Sequence, residues 1–222
     1  MAEKALRLRW ACSSALLLFC LLVGSPSYGL TPEEAKALKP VKVLVVTEDT
    51  IPFLWDLLLG KDNSTVIDLR IGPRFLTTEL QVRVRKWVNA GGGVLVYGGV
   101  DDTNDSAAVF FPNMEYTDLV RWRAVIARVP SNTKSPVVNQ VSEVKMFIKR
   151  LPKADSIKST GGTIILAISD TQPVAFVMNY GKGRLAYLPT GTFFPAYPVE
   201  EYDNKRLFLN LFRWLGKEPV PN

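Results

Sequence analysis

The sequence predicts a three-layer α/β sandwich with a mainly parallel central sheet. Three observations predict it. Val43 to Val46 and Val94 to Tyr97 are unbroken apolar runs, as expected of strands covered on both faces. The segments between the early strands are long and helix-patterned, and a strand-helix-strand-helix-strand order calls for parallel strands with right-handed crossovers. Near the C-terminus, two apolar runs bracket Gly181-Lys182-Gly183, which reads as a β-hairpin with glycines at the turn.

The elements follow in order. Val41 to Thr47 is the first strand, and Ile51 to Leu59 a helix with Phe53, Leu54, Leu57 and Leu58 inward and Gly60 ending it. Thr65 to Ile71 is the second strand, with Gly72-Pro73 as a turn. The next stretch, LTTELQVRVRKWVNAGGGVLVYGGV over 76–100, organises the rest. Thr77 or Thr78 caps its helix, and Thr78 with Gln81 has capping-box spacing. Leu80, Val84, Trp87 and Val88 share one face. Gly91 suits a left-handed cap, and Gly98-Gly99 lets the chain turn at the strand's carboxyl end, where open α/β sheets place their sites. Asp101 to Pro112 reads as a loop. Tyr116 to Val129 only partly alternates like a strand. Val141 to Ile148 and Thr163 to Ser169 are strands, and Val174 to Tyr180 with Arg184 to Leu188 form the hairpin. Asp203 or Asn204 caps a final helix whose Leu207, Phe208, Leu211, Phe212 and Leu215 form one stripe, ended by Gly216. Val43 to Val46, Val94 to Val96 and Ile164 to Leu166 are the expected centre of the core.

The chain has 222 residues, 47% hydrophobic and 22% charged, a globular composition. Its start differs. Lys4, Arg7 and Arg9 precede an apolar stretch from Ala11 to Val23, and Ser27 and Gly29 are small residues at the spacing of a cleavage site. Residues 1–29 therefore read as a secretory signal peptide, with an uncleaved anchor as the alternative. The expected organisation is that leader followed by one domain over 30–222, exported to the periplasm or the exterior. Without the leader, 193 residues carry 24 Lys+Arg and 20 Asp+Glu, a net charge of +4. So mild a balance, without interleaved aromatic and basic residues, argues against nucleic acid.

Both cysteines, Cys12 and Cys20, fall in the leader, and the chain has no histidine. This removes Ser-His-Asp and Cys-His catalysis and zinc sites built on those residues. No cofactor and no metal site are expected.

Four pieces carry a resemblance: 76–99 (LTTELQVRVRKWVNAGGGVLVYGG), 135–145 (SPVVNQVSEVK), 180–191 (YGKGRLAYLPTG) and 203–216 (DNKRLFLNLFRWLG). Together they resemble the class I glutamine amidotransferase-like superfamily, and most of all its non-catalytic branches, such as ThuA-like and bacterial envelope domains. The resemblance covers roughly residues 41–216. It implies a flavodoxin-like sandwich, with the first and third strands adjacent. Catalytic members have a cysteine on a glycine-flanked elbow, here Gly98-Gly99-Val100, and a histidine and glutamate after a late strand, here Leu188-Pro189-Thr190-Gly191. Neither nucleophile nor base is present, so thiol-based glutamine hydrolysis is excluded.

Two sets of residues are candidates for binding. Glu48, Asp49, Gly99, Asp101, Asp102 and Thr190 would meet at a crevice on the carboxyl side of the sheet, suited to a cation or sugar hydroxyls. Against this, Glu48-Asp49-Thr50 reads as a helix cap and the DDTND run, through Asp105, as a turn. Phe193, Phe194, Tyr197 and Tyr202 form an aromatic segment that either binds a partner or covers a sheet edge. The residue inventory argues against an enzyme and favours a binding or assembly module of the cell envelope with a protein partner. The alternatives are a carbohydrate-binding or carbohydrate-processing protein using carboxylates at the sheet edge, and a membrane-complex subunit held by its leader.

Overall fold

The computed structural model describes residues 41–98, 105–189 and 202–220, and within these the side chains of all but Val120 and Trp122. The proposed leader lies outside them.

Among the described residues, eight strands form one mixed sheet: β1 (Val43–Val46), β2 (Val66–Leu69), β3 (Gly93–Gly98), β4 (Tyr116–Arg128), β5 (Glu143–Pro152), β6 (Thr163–Ser169), β7 (Gln172–Tyr180) and β8 (Gly183–Pro189). The order is β1-β2-β3-β8-β7-β6-β4-β5. The sheet is not mainly parallel. β1, β2, β3 and β8 pair in parallel, whereas β8-β7, β7-β6, β6-β4 and β4-β5 are antiparallel. The extension comes from two hairpins added beyond the parallel half. The expected adjacency of first and third strands is also corrected, because β2 lies between them.

That order has a visible cause. Two right-handed crossovers that step in the same direction leave their helices on the same face. Helices α1 (Ile51–Leu58) and α2 (Thr78–Asn89) do so. Leu54 and Leu57 of α1, with Leu80, Val84 and Val88 of α2, pack in one cluster with Leu44, Val46, Ile67, Leu69, Val94 and Val96 of the sheet. Ile157 of the short α3 (Ala154–Ser159) joins them. The intervening side chains of the same strands, Val43, Val66 and Leu95, face the other way. There they meet Leu207, Leu211, Phe212 and Leu215 of α4 (Asn204–Leu215) and Val144, Met146 and Ile148 of β5. The third layer is thus a helix beside a β-ribbon. Of the expected core residues, Val45 and Ile164 are only partly buried and the others are buried.

Locally, the caps differ from the expected ones in several places: Asp203, at the N-cap position of α4, and Thr50, at that of α1, make no side-chain cap hydrogen bond. Thr77 caps α2, its side chain accepting from the Leu80 amide at 3.2 Å. Gln81 does not close a capping box; it donates to the carbonyls of Pro73 and Leu76. Gly183 packs so tightly at the start of β8 that a Cβ would lie 2.0 Å from the Val88 carbonyl oxygen. The C-terminal end of α2 can therefore rest directly on the hairpin turn.

Candidate functional site

The carboxyl ends of β1, β3 and β8 point to one edge of the molecule. At β1 the chain leaves through a 3-10 turn over Glu48–Thr50. Thr50 organises it: the Thr47 amide donates to its hydroxyl oxygen at 2.7 Å, and that hydroxyl donates to the Val45 carbonyl at 2.8 Å. Glu48 and Asp49 are left exposed, and Thr50, at the N-cap position of α1, makes no side-chain cap hydrogen bond to that helix; its hydroxyl closes the 3-10 turn instead. Because β2 intervenes, Glu48 and Asp49 follow a strand about 10 Å from β3, twice the usual strand spacing. Gly99, Asp101, Asp102, Thr190, Phe193, Phe194 and Tyr197 lie outside the described residues.

At the end of β3 the backbone of Gly98 is closed over. A Cβ there would lie 1.9 Å from the Tyr187 hydroxyl of β8. Tyr187 is fully buried, with its ring stacked on Phe176 at 4.9 Å. Its phenol faces that of Tyr116, at the start of β4, and the carboxylate of Asp105. Burial first, then the neighbouring Asp105 carboxylate, push the Tyr187 phenol far above the ordinary tyrosine range. The Tyr116 phenol is raised in the same direction, by burial and then by Tyr187 and Asp105. The Arg150 guanidinium stacks on the Tyr116 ring at 4.5 Å and pairs with Asp118 at 2.8 Å. Asp105 itself is 3% exposed and accepts from the Ala107 amide at 3.0 Å, as an aspartate that starts a turn does. Next to it, the Ser106 hydroxyl accepts from the Tyr97 amide at 2.7 Å.

Chemically, this cluster is a set of protonated phenols that can donate hydrogen bonds. Among the described residues, no three of His, Cys, Asp and Glu stand close enough to hold a metal ion. The buried phenols escape a reading of the sequence because Tyr187 sits in an apolar run and Tyr116 opens a strand of mixed polarity, and a strand tyrosine usually serves as bulk. Their only signal is that a buried hydroxyl needs a partner.

On the opposite face of the sheet, Tyr202 precedes α4. It is half-buried, and Lys145 of β5 lies over its ring at 5.5 Å. The one aromatic of the expected partner segment that is described therefore rests against the β5 edge. Among the described residues no helix is long and apolar enough to cross a membrane.

No protein-family model matches the chain, and no curated protein matches it. Solved structures do. A ThuA-like protein from Bacteroides uniformis superposes with a TM-score of 0.52 at 13% identity, over 79% of this chain and 91% of that one. A cytoplasmic protein from Salmonella typhimurium LT2 superposes with a TM-score of 0.50 at 11% identity, over 71% and 74%. At such identities the likeness is one of fold. The chain has an α/β fold of the kind seen in a ThuA-like protein.

Proposed function

We propose that this chain is an exported, catalytically inactive member of the amidotransferase-like superfamily, in its ThuA-like branch, and that it works as a binding or assembly module of the cell envelope. The observation that carries this reading is chemical. An amidotransferase needs a thiolate to attack the amide and a base to activate it, and this chain has no histidine and no cysteine after Cys20. The basic and apolar leader supports export. The aromatic segment ending at Tyr202 is the surface assigned to the partner.

Three measurements test the reading together. Purified protein is expected to release ammonia from glutamine no faster than buffer. Fractionated cells are expected to hold the protein outside the cytoplasm, with a mature N-terminus near Leu30. A photo-crosslinker at Tyr202 is expected to give a discrete adduct that the same crosslinker at Glu79, on the far helix face, does not give. Cytoplasmic protein with an intact leader would remove the export claim. Identical adducts at both positions would remove the partner surface.

A further inference from the structure

A second feature lies at the carboxyl edge, away from the elbow. β6 runs in the same direction as β8, because each is antiparallel to β7, and β4 runs against β6. The β6–β7 turn, the start of β4 and the end of β5 therefore meet at the edge where parallel α/β sheets bind their ligands. Between them and α3 is a hollow of about 390 Å³, near the small end of the range for ligand sites.

Its lining is balanced in charge. Lys153 and Lys158 face it together with Asp155 and Asp170. Lys153 is held by Glu115 at 2.8 Å, and Lys158 lies 3.6 Å from Asp155. Three further groups on the lining, Thr117, Asp170 and Gln172, make no side-chain hydrogen bond among the described residues. They supply a hydroxyl, an acceptor-only carboxylate and a carboxamide that both donates and accepts. Leu151 and Pro152 are buried beneath them and give the hollow an apolar floor.

We propose that this hollow binds a neutral polyhydroxylated ligand, a saccharide of one or two rings. Each alternative class loses something specific. An anion meets lysines already held by Glu115 and Asp155, and among the described residues a cation finds a single unpaired carboxylate, Asp170, where a hard cation takes several oxygen ligands. An apolar ligand would desolvate Asp170 and Gln172 without replacing their hydrogen bonds. Sugar hydroxyls donate to the carboxylate and both donate to and accept from the carboxamide and Thr117, while the ring's C–H face meets the Pro152 floor. With no aromatic ring on the lining to stack against, the affinity is expected in the millimolar range.

The test is ligand-observed NMR and calorimetry on the full chain with glucose, galactose, mannose, N-acetylglucosamine, maltose and lactose. Glucosamine and glucuronate serve as charged analogues. Asp170→Ala/Gln172→Ala removes the free groups from an exposed turn, and circular dichroism with a urea midpoint checks that it folds. Glu48→Ala/Asp49→Ala removes carboxylates elsewhere on the same edge. At least one neutral sugar is expected to bind saturably, at least tenfold more weakly to the first variant and unchanged to the second. No binding by any neutral sugar at tens of millimolar would overturn the proposal. So would binding indifferent to Asp170 and Gln172, or tighter binding of a charged analogue. The outcome is independent of the envelope-assembly reading, because the crosslink at Tyr202 concerns the other face of the sheet.

Discussion

The carboxamide of Asn204 makes both backbone hydrogen bonds of Lys145. Its Nδ2 donates to the Lys145 carbonyl at 2.7 Å, and its Oδ1 accepts from the Lys145 amide at 3.0 Å. One residue earlier, the Asp203 carboxylate accepts from the Ser142 amide and hydroxyl at 2.7 and 2.9 Å and from the Glu143 amide at 3.2 Å. The Asp203 amide donates to the Glu143 carbonyl. Among the described residues β5 is the last strand of the sheet, and a bare last strand is a template for unwanted pairing. The start of α4 thus occupies the outer edge of Glu143 and Lys145, as a ninth strand would.

Replacing Asn204 by alanine is expected to cost about 1–3 kcal/mol, because it strands a partly buried amide and carbonyl together. Urea unfolding at neutral pH would measure the loss. The same variant is expected to aggregate faster than wild type at equal fraction folded, since it bares the edge of β5. A loss confined to stability, with no change in aggregation, would mean that other groups cover the edge.

Asp203 should contribute to the acid limb of stability. Burial works to raise its pKa, but the hydrogen bonds from Ser142 and Glu143 and the nearby Arg206 charge together hold it below the ordinary value. A carboxyl with a depressed folded pKa stabilises the protein above its unfolded pKa, about 3.9 for aspartate, and that stabilisation is lost as pH falls through the lower folded value. Asp203→Asn is therefore expected to be less stable than wild type at neutral pH and to converge on it as pH falls well below 4. Parallel curves from neutral pH into that range would exclude Asp203 as a titrating contributor.

Gly98 and Tyr187 should behave as a coupled pair. Gly98→Ala puts a Cβ 1.9 Å from the Tyr187 hydroxyl and 2.7 Å from its Cζ. The ring cannot swing away, because it is fully buried and stacked on Phe176. Overpacking of this kind costs about 1–3 kcal/mol or more. Tyr187→Phe removes the oxygen but not Cζ, so the alanine should be partly tolerated in that background. A double-mutant cycle is expected to return a favourable coupling of about 0.5–3 kcal/mol, and strict additivity would show that the backbone relaxes instead.

The parts of the fold that the sequence made legible are those set by local rules. The strands Val43–Val46 and Gly93–Gly98 and the stripe on α4 follow from unbroken or 3.6-period apolar patterns. The turn at Gly181, with φ +61°, follows from a glycine requirement. β4 was harder. Its register with β5 shifts between Asp118 and Arg123, and inserted residues break the inside-outside alternation by which a strand is recognised. Strand order was not legible, because it depends on which face each crossover helix covers, and that is settled only when α1 and α2 pack together. The same limit explains the site. Glu48 and Asp49 were visible as a carboxylate pair, but not their distance from β3. Tyr116, Tyr187 and Asp105 come from three distant segments, and no spacing within the chain announces their meeting.

Asp68 shows the same limit, and it supplies the last prediction. TVIDLRI reads as a strand, yet nothing local says that its aspartate lies on a fully buried β2, where Asp68 is 0% exposed. A carboxylate there must be paired. Arg70, two residues on and so on the same face of the strand, reaches back with Nε at 2.9 Å and a terminal nitrogen at 2.8 Å. Its own side chain is 31% exposed, which leaves the charge partly solvated while the carboxylate is not. Removing the exposed partner should therefore hurt more than its exposure suggests, because the buried charge is left behind. Arg70→Met is expected to cost about 3–5 kcal/mol, and Arg70→Lys less, since it keeps the charge but not the two-pronged geometry. In an Asp68→Asn background the charge to be stranded is gone, and the same Arg70→Met change should cost much less. Chemical denaturation of wild type, Arg70→Met, Arg70→Lys, Asp68→Asn and Asp68→Asn/Arg70→Met would decide it. Equal costs in both backgrounds would show that Asp68 is stabilised by groups other than Arg70.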